Sequence, residues 1–156
     1  MRAPTYRDAA AGRPAVRIVA DASVVLAAML PECHTAEARL ALGEAEEVYA
    51  PDLLLYEIVS ALHARVRRGD LTSGQADGKR LEARALPAHY AAAHELDASA
   101  LALAGRLSHS TYDCFYLALA IERECVLVTA DRALAGSARS AGFDRYVHLL
   151  GEESVR

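Results

Sequence analysis

Short apolar runs alternate with segments of helical period along nearly the whole chain, and this alternation restricts the fold more than any other feature. The clearest run is C-V-L-V-T at residues 125–129, continuously apolar up to its last residue, as a strand buried on both faces must be. Shorter runs occur at 17–20 (R-I-V-A), at 47–50 (E-V-Y-A, closed by Pro51) and at 145–150 (R-Y-V-H-L-L). A-H-Y-A-A-A-H at 88–94 is a weaker strand candidate, rich in alanine and histidine.

Between these runs the spacing predicts helices. One follows Asp21 and stops near Pro31, and a second covers 34–47. A long one at 52–69 has apolar residues at 54, 58, 59, 62 and 66 and ends on Gly69. Thr72 and Gln75 form a T-x-x-Q capping box that starts a helix reaching about Leu86. Further helices are predicted at 97–107, with Asp97 as N-cap, at 110–124, the most apolar of the set, and at 131–142. Strands separated by helices imply an α/β fold around a parallel sheet.

The chain of 156 residues suits a single domain, expected over 17–150, with short tails at 1–16 and 151–156. Residues 1–14 contain no apolar core of the kind a signal peptide carries, and no run approaches the roughly 20 apolar residues a membrane helix needs. Three cysteines (Cys33, Cys114, Cys125) without a C-x-x-C spacing argue against a disulfide framework or a thiolate zinc site, and point to a reducing cytoplasm. Cys114 and Cys125 lie in apolar surroundings and read as core filler. A net charge of −4 excludes a protein that coats nucleic acid through overall basicity.

Four carboxylates fall at unusual places. Asp21 ends the first strand and Asp131 lies just past the fourth, so both should project at the edge where parallel sheets bind ligands. Glu57 lies within an apolar helix beside Leu54 and Ile58, and Asp113 shares a helical face with Leu117 and Ala120. A carboxylate on a core-facing stripe requires a partner, and no Lys or Arg occupies a matching position. A metal ion is the economical partner. Local alternatives exist for each acid: Asp21 and Asp131 as N-caps, Asp113 in a capping box with Ser110, Glu57 turned to Arg65 or to solvent. Independent caps, however, have no reason to fall on two strand ends and two inward helix faces.

An all-oxygen ligand set favours Mg²⁺ or Mn²⁺ over zinc. The six histidines show no metal-binding spacing and read as surface or packing residues. The chemistry that fits is phosphodiester hydrolysis, for which a metal can generate hydroxide from water, orient the phosphate and stabilise charge on the leaving oxygen. No Ser-His-Asp arrangement is visible, and the lack of a glycine-rich phosphate loop argues against nucleotide triphosphate binding.

The order V-A-D-A-S, an isolated Y-E within a helix, S-T-Y-D-C-F-Y-L-A-L-A and then L-V-T-A-D-R resembles the PIN domain, and more narrowly the VapC toxins of toxin–antitoxin modules, from about Arg17 to Leu150. The resemblance implies a three-layer α/β/α sandwich with a parallel central sheet. It implies an endoribonuclease that cleaves RNA with Mg²⁺ (or Mn²⁺) held by four acids, matched here by Asp21, Glu57, Asp113 and Asp131. Ser23 and Thr129 match the family's supporting hydroxyls. It also implies a homodimer silenced by a cognate antitoxin; the lack of a membrane-length apolar run argues separately against membrane attachment.

On this reading Asp21 and Asp113 are the primary metal ligands, Asp131 completes the set, and Glu57 binds a second metal or positions water. Arg65, Arg67 and Arg68, with Lys79, Arg80 and Arg84 on the next helix, are candidates for an RNA-facing rim; the alternative is an ordinary solvated surface. The helices at 34–46 and 52–66 offer apolar faces for dimerisation or for an antitoxin helix. Two rival classes stand beside the nuclease. One is a binding module with an idle acid cluster. The other is a phosphoryl-transfer domain of similar build, a receiver or a haloacid-dehalogenase-like phosphatase; Ser23 counts against the phosphatase, which carries a second Asp at that position.

Overall fold

The structure is a computed structural model that describes residues 16–86 and 88–152. Its centre is a five-stranded sheet in the order β3-β2-β1-β4-β5. The strands are β1 (Arg17–Ala20), β2 (Glu47–Pro51), β3 (Ala88–Ala91), β4 (Val126–Thr129) and β5 (Val147–Leu149), and every neighbouring pair is parallel. All four residues of β4 are buried, which is why the run carries no polar alternation. The weak 88–94 candidate is a strand over its first half, on the edge of the sheet, where fewer apolar residues are needed.

The helices are α1 (Ala22–Met29), α2 (Thr35–Glu44), α3 (Leu53–Arg68), α4 (Ser73–Ala85), α5 (Asp97–Leu107), α6 (Thr111–Glu122) and α7 (Arg132–Ser140). Right-handed crossovers fix their faces. The chain runs outward through β1, β2 and β3, which puts α1 to α4 on one face, where they pack on one another. It then returns to β4 on the other side of β1 and continues to β5, which puts α5, α6 and α7 on the opposite face. The result is the expected three-layer α/β/α sandwich. The direction of strand order reverses between β1 and β4, the switch point at which open parallel sheets leave a crevice.

Helix α6 crosses the middle of its face and packs on β1, β2 and β4. Cys114, Tyr116, Leu117, Ala118, Leu119 and Ala120 are all buried, and a helix apolar on nearly every side belongs in the interior. Cys125 is buried and Cys33 exposed, both as free thiols.

Local signals behave as their chemistry dictates, with two exceptions. The Thr72–Gln75 box forms reciprocally at the start of α4, and Gly69 closes α3 at φ +80°, a conformation that costs glycine little. Asp97, expected as an N-cap, is instead the first residue of α5; Leu96 holds the cap position, after a 3₁₀ turn at Ala93–Glu95 that already leads the chain into the helix. Ser110 makes no side-chain capping bond at α6, so the S-T-Y-D box does not form. The tails expected at 1–16 and 151–156 lie outside the described residues, apart from Val16, Gly151 and Glu152.

Candidate active site

The switch point brings the ends of β1 and β4 side by side, with Ala20 opposite Val128 and the Asp21 amide donating to the Val128 carbonyl at 3.4 Å. Asp21 then turns the chain into α1 as its N-cap. One carboxylate oxygen accepts from the Val24 amide (3.1 Å) and the Ser23 hydroxyl (2.5 Å). The other accepts from the Thr129 hydroxyl (2.5 Å), across 108 residues of chain. The two hydroxyls are themselves held: Ser23 Oγ accepts from the Ala130 amide and Thr129 Oγ1 from the Asp131 amide, both at 3.0 Å. A cap and a cross-strand clamp thus coincide in one residue. Asp21 is 6% exposed, and burial pushes its carboxyl up to about 6 from an ordinary 3.8. The three donors oppose that rise and the charge of Asp113 adds to it.

Asp131 is the N-cap of α7. Its Oδ1 accepts from the amides of Ala133 (2.8 Å) and Leu134 (3.0 Å), and its Oδ2 faces His109 Nε2 at 4.0 Å. The capping role occupies one oxygen and leaves the other on the crevice side. Asp113 sits in the first turn of α6, with Oδ2 2.9 Å from the same His109 nitrogen. Burial raises its pKa, His109 opposes the rise, and Asp131 reinforces it.

Glu57 enters from α3 and accepts a hydrogen bond from the Tyr116 hydroxyl of α6. Its pKa is raised, first by burial, against the Tyr116 bond, and further by the charges of Asp113 and Asp21. The alternative partner, Arg65, is bound to Glu32 instead. Tyr116 is 1% exposed, and burial followed by the bond to Glu57 pushes its hydroxyl well above the usual tyrosine range.

Four acids from four elements therefore meet at one crevice and feel one another's charge. No Lys or Arg contributes to the shifts of Asp21, Glu57 or Asp113, and none pairs with the four acids among the described residues. Carboxylate oxygens crowded in this way suit a hard divalent cation, which offsets their mutual repulsion. The donor atoms of His109, Asp113 and Asp131 also lie within 4.8 Å of one another, close enough to share an ion.

The basic residues are not drawn to this point. Along α3, at 1.5 Å per residue, Arg65 lies about 12 Å beyond Glu57 and Arg68 about 16 Å beyond it. Arg65 pairs with Glu32 and Arg68 with Asp70, while Arg67 is exposed. On α4, Lys79 pairs with Glu82 and Arg80 with Asp77.

The PIN domain family model matches residues 18–139, which spans β1 to α7 and all four acids. The chain belongs to the PIN-domain family. Within it the chain groups with VapC: it is 36% identical to Ribonuclease VapC3 of Pyrobaculum aerophilum over 124 residues, covering 77% of this chain and 93% of that protein. The crystal structure of PAE2754 from Pyrobaculum aerophilum superposes with a TM-score of 0.62 at 24% identity, covering 79% of this chain and 86% of that one, and so shares its fold.

Two residues of this PIN crevice escape a reading by motif. His109 stands four residues before Asp113, an i, i+4 pair that marks the contact in hindsight, but it precedes the helix and so shows no helical periodicity. Tyr116 looks like any large residue on an apolar helix, and its hydroxyl gains meaning only from α3 packed opposite.

Proposed function

We propose that this PIN-domain protein is a metal-dependent endoribonuclease, the toxin of a toxin–antitoxin pair, acting at Asp21, Glu57, Asp113 and Asp131. The observation that carries this reading is the convergence of four carboxylates at the β1/β4 crevice with no lysine or arginine to balance them. Such a cluster is costly for a protein to maintain at neutral pH unless a cation neutralises it.

The cation best suited to the carboxylates is Mg²⁺, with Mn²⁺ as an alternative. When bound, it would activate water and offset charge on the phosphate. The chain's own residues supply the rest. Asp21 is held rigidly by Ser23 and Thr129, so its free lone pairs keep one direction. Asp113 and Asp131, from α6 and α7 on the same face of the sheet, each present one oxygen beside His109. Glu57, fixed by Tyr116 and shifted toward neutral pH, is placed to orient or accept a proton from attacking water.

The substrate is RNA by this reading, supported by the named activity of the VapC3 relative. Of the basic rim, Arg67 retains the best case for a phosphate contact, because Arg65 and Arg68 are held in ion pairs. No helix among the described residues is long and apolar enough to cross a membrane, and we place the protein in the cytoplasm. The antitoxin reading gains from an apolar cleft between α3 and α4, lined by Val59, Leu62, Val66 and Ala76 with Asp77 and Arg80 at its edge. That cleft lies between α3 and α4, one helix further along than the helices at 34–46 and 52–66 whose apolar faces the sequence offered. Exposed Tyr56 and Leu40 offer apolar area for a homodimer.

The test is cleavage of a mixed cellular RNA pool by purified, antitoxin-free protein with Mg²⁺, Mn²⁺ or EDTA, beside Asp113→Asn. Cutting that needs metal and Asp113 supports the nuclease. No cutting by folded protein under any metal would move the reading to an RNA-binding module.

A further inference from the structure

We infer that His109 supplies a nitrogen ligand to the cation site, making it a mixed nitrogen–oxygen site that selects Mn²⁺ over Mg²⁺. The inference rests on the metal-dependent reading above and goes beyond it, since that reading uses oxygen ligands alone.

The geometry is specific to one ring nitrogen. His109 Nε2 lies 2.9 Å from Asp113 Oδ2 and 4.0 Å from Asp131 Oδ2, and the three residues' donor atoms fall within 4.8 Å of one another. Ligands that share one ion at bonds of about 2.1 Å stand roughly 3 to 4.2 Å apart, which both histidine distances nearly match. The two carboxylate oxygens concerned are the ones not used elsewhere: Asp131 spends its Oδ1 on the cap of α7, and the Asp113 contact uses Oδ2. Asp21, by contrast, already accepts three hydrogen bonds.

The fold holds the imidazole at this point. Helix α5 ends at Leu107, Ser108 adopts a left-handed conformation (φ 50°), and the chain reverses so that His109 stands just ahead of α6, over the first-turn Asp113. The side chain is 14% exposed, sheltered but reachable from the crevice. With Asp113 ionised and no cation present, the ring must donate its Nε2 hydrogen to that carboxylate. Coordination through Nε2 requires that hydrogen to leave, with the ring hydrogen then carried on Nδ1.

Selectivity follows from ligand type. Mg²⁺ prefers oxygen and gives up water reluctantly, whereas imidazole nitrogen suits first-row transition ions. One nitrogen among carboxylates therefore shifts the preference toward Mn²⁺ without excluding Mg²⁺.

Pulsed EPR on the full chain loaded with Mn²⁺ tests this directly. Wild-type protein should show ¹⁴N modulation from a coordinated imidazole, replaced by the ¹⁵N pattern when histidine is ¹⁵N-labelled and absent in His109→Leu. Calorimetry with each metal alone should show Mn²⁺ affinity falling by about tenfold or more in His109→Leu and Mg²⁺ affinity by less than about threefold. Bound Mn²⁺ without histidine nitrogen coupling, or equal loss of both metals, overturns the inference and leaves the metal-dependent reading standing. Wild-type protein that binds neither metal overturns both. If His109→Leu fails to fold, the labelled wild-type spectrum decides alone.

Discussion

Asp21→Asn should stabilise the metal-free protein at neutral pH, although it alters a residue that caps a helix and bridges two strands. The wild-type carboxyl stands at about 6 in the folded chain against an ordinary 3.8. At roughly 1.4 kcal/mol for each tenfold change, ionised Asp21 destabilises the fold by about 3 kcal/mol once the pH is well above 6. The sign follows from proton binding. Between these two values the folded chain holds more protons than the unfolded one, so stability is greatest below pH 4 and is lost as pH rises through 6.

Asparagine removes the charge and, like the protonated carboxyl, turns a hydrogen-bearing group toward one of the three donors of Val24, Ser23 and Thr129, a loss already contained in a carboxyl held at about 6. The net gain at pH 8 is then about 3 kcal/mol, or about 9 °C in melting temperature for a domain of this size. At pH 4, where wild-type Asp21 is protonated, the two proteins should be about equally stable. Thermal melts in EDTA from pH 4 to 8 measure how the difference grows with pH. A variant less stable than wild type at every pH, or a difference independent of pH, would refute the reasoning.

The other expectations are simpler. Asp113→Asn should reduce RNA cleavage by more than about a hundredfold with an unchanged circular dichroism spectrum, and a wild-type rate would remove Asp113 from the site. Thr129→Val strips the buried hydroxyl that joins Asp21 to the Asp131 amide; metal affinity by calorimetry should fall about 10- to 100-fold, and stability by about 1–3 kcal/mol in denaturant melts. Tyr116→Phe keeps the buried ring and releases Glu57, so kcat should fall with little change in KM for RNA; a KM effect alone would mean that Tyr116 only packs. Gly69→Ala places a side chain at φ +80° and should cost about 1 kcal/mol by chemical denaturation, with cleavage unaffected.

Much of this protein is decided by neighbours in sequence. The apolar residues at 126–128 make a buried strand because burial on both faces tolerates no unpaired polar group, Thr129 being buried with its hydroxyl bonded to Asp21, and Thr72 with Gln75 caps α4 because both partners lie within one turn. The sites of Asp21 and Asp131 follow from where apolar runs stop, and those of Glu57 and Asp113 from carboxylates on inward stripes. Asp97 marks the limit of such reasoning, since its place as cap or first turn depends on how the preceding 3₁₀ turn delivers the chain.

Tertiary structure decided the rest, because it concerns contacts between elements far apart in the chain. Strand order alone puts Thr129 on Asp21 across 108 residues, and the packing of α6 against α3 puts the Tyr116 hydroxyl on Glu57 across 59. Arg65 and Arg68 looked available to a polyanion until Glu32 and Asp70 took them. His109, in a short link with no periodicity, meets two acids only because α5 turns back at Ser108 to meet α6. Local pattern determines where a carboxylate sits on its own helix or strand; which other groups share its field, and hence its pKa and its capacity for metal, is a property of the assembled fold.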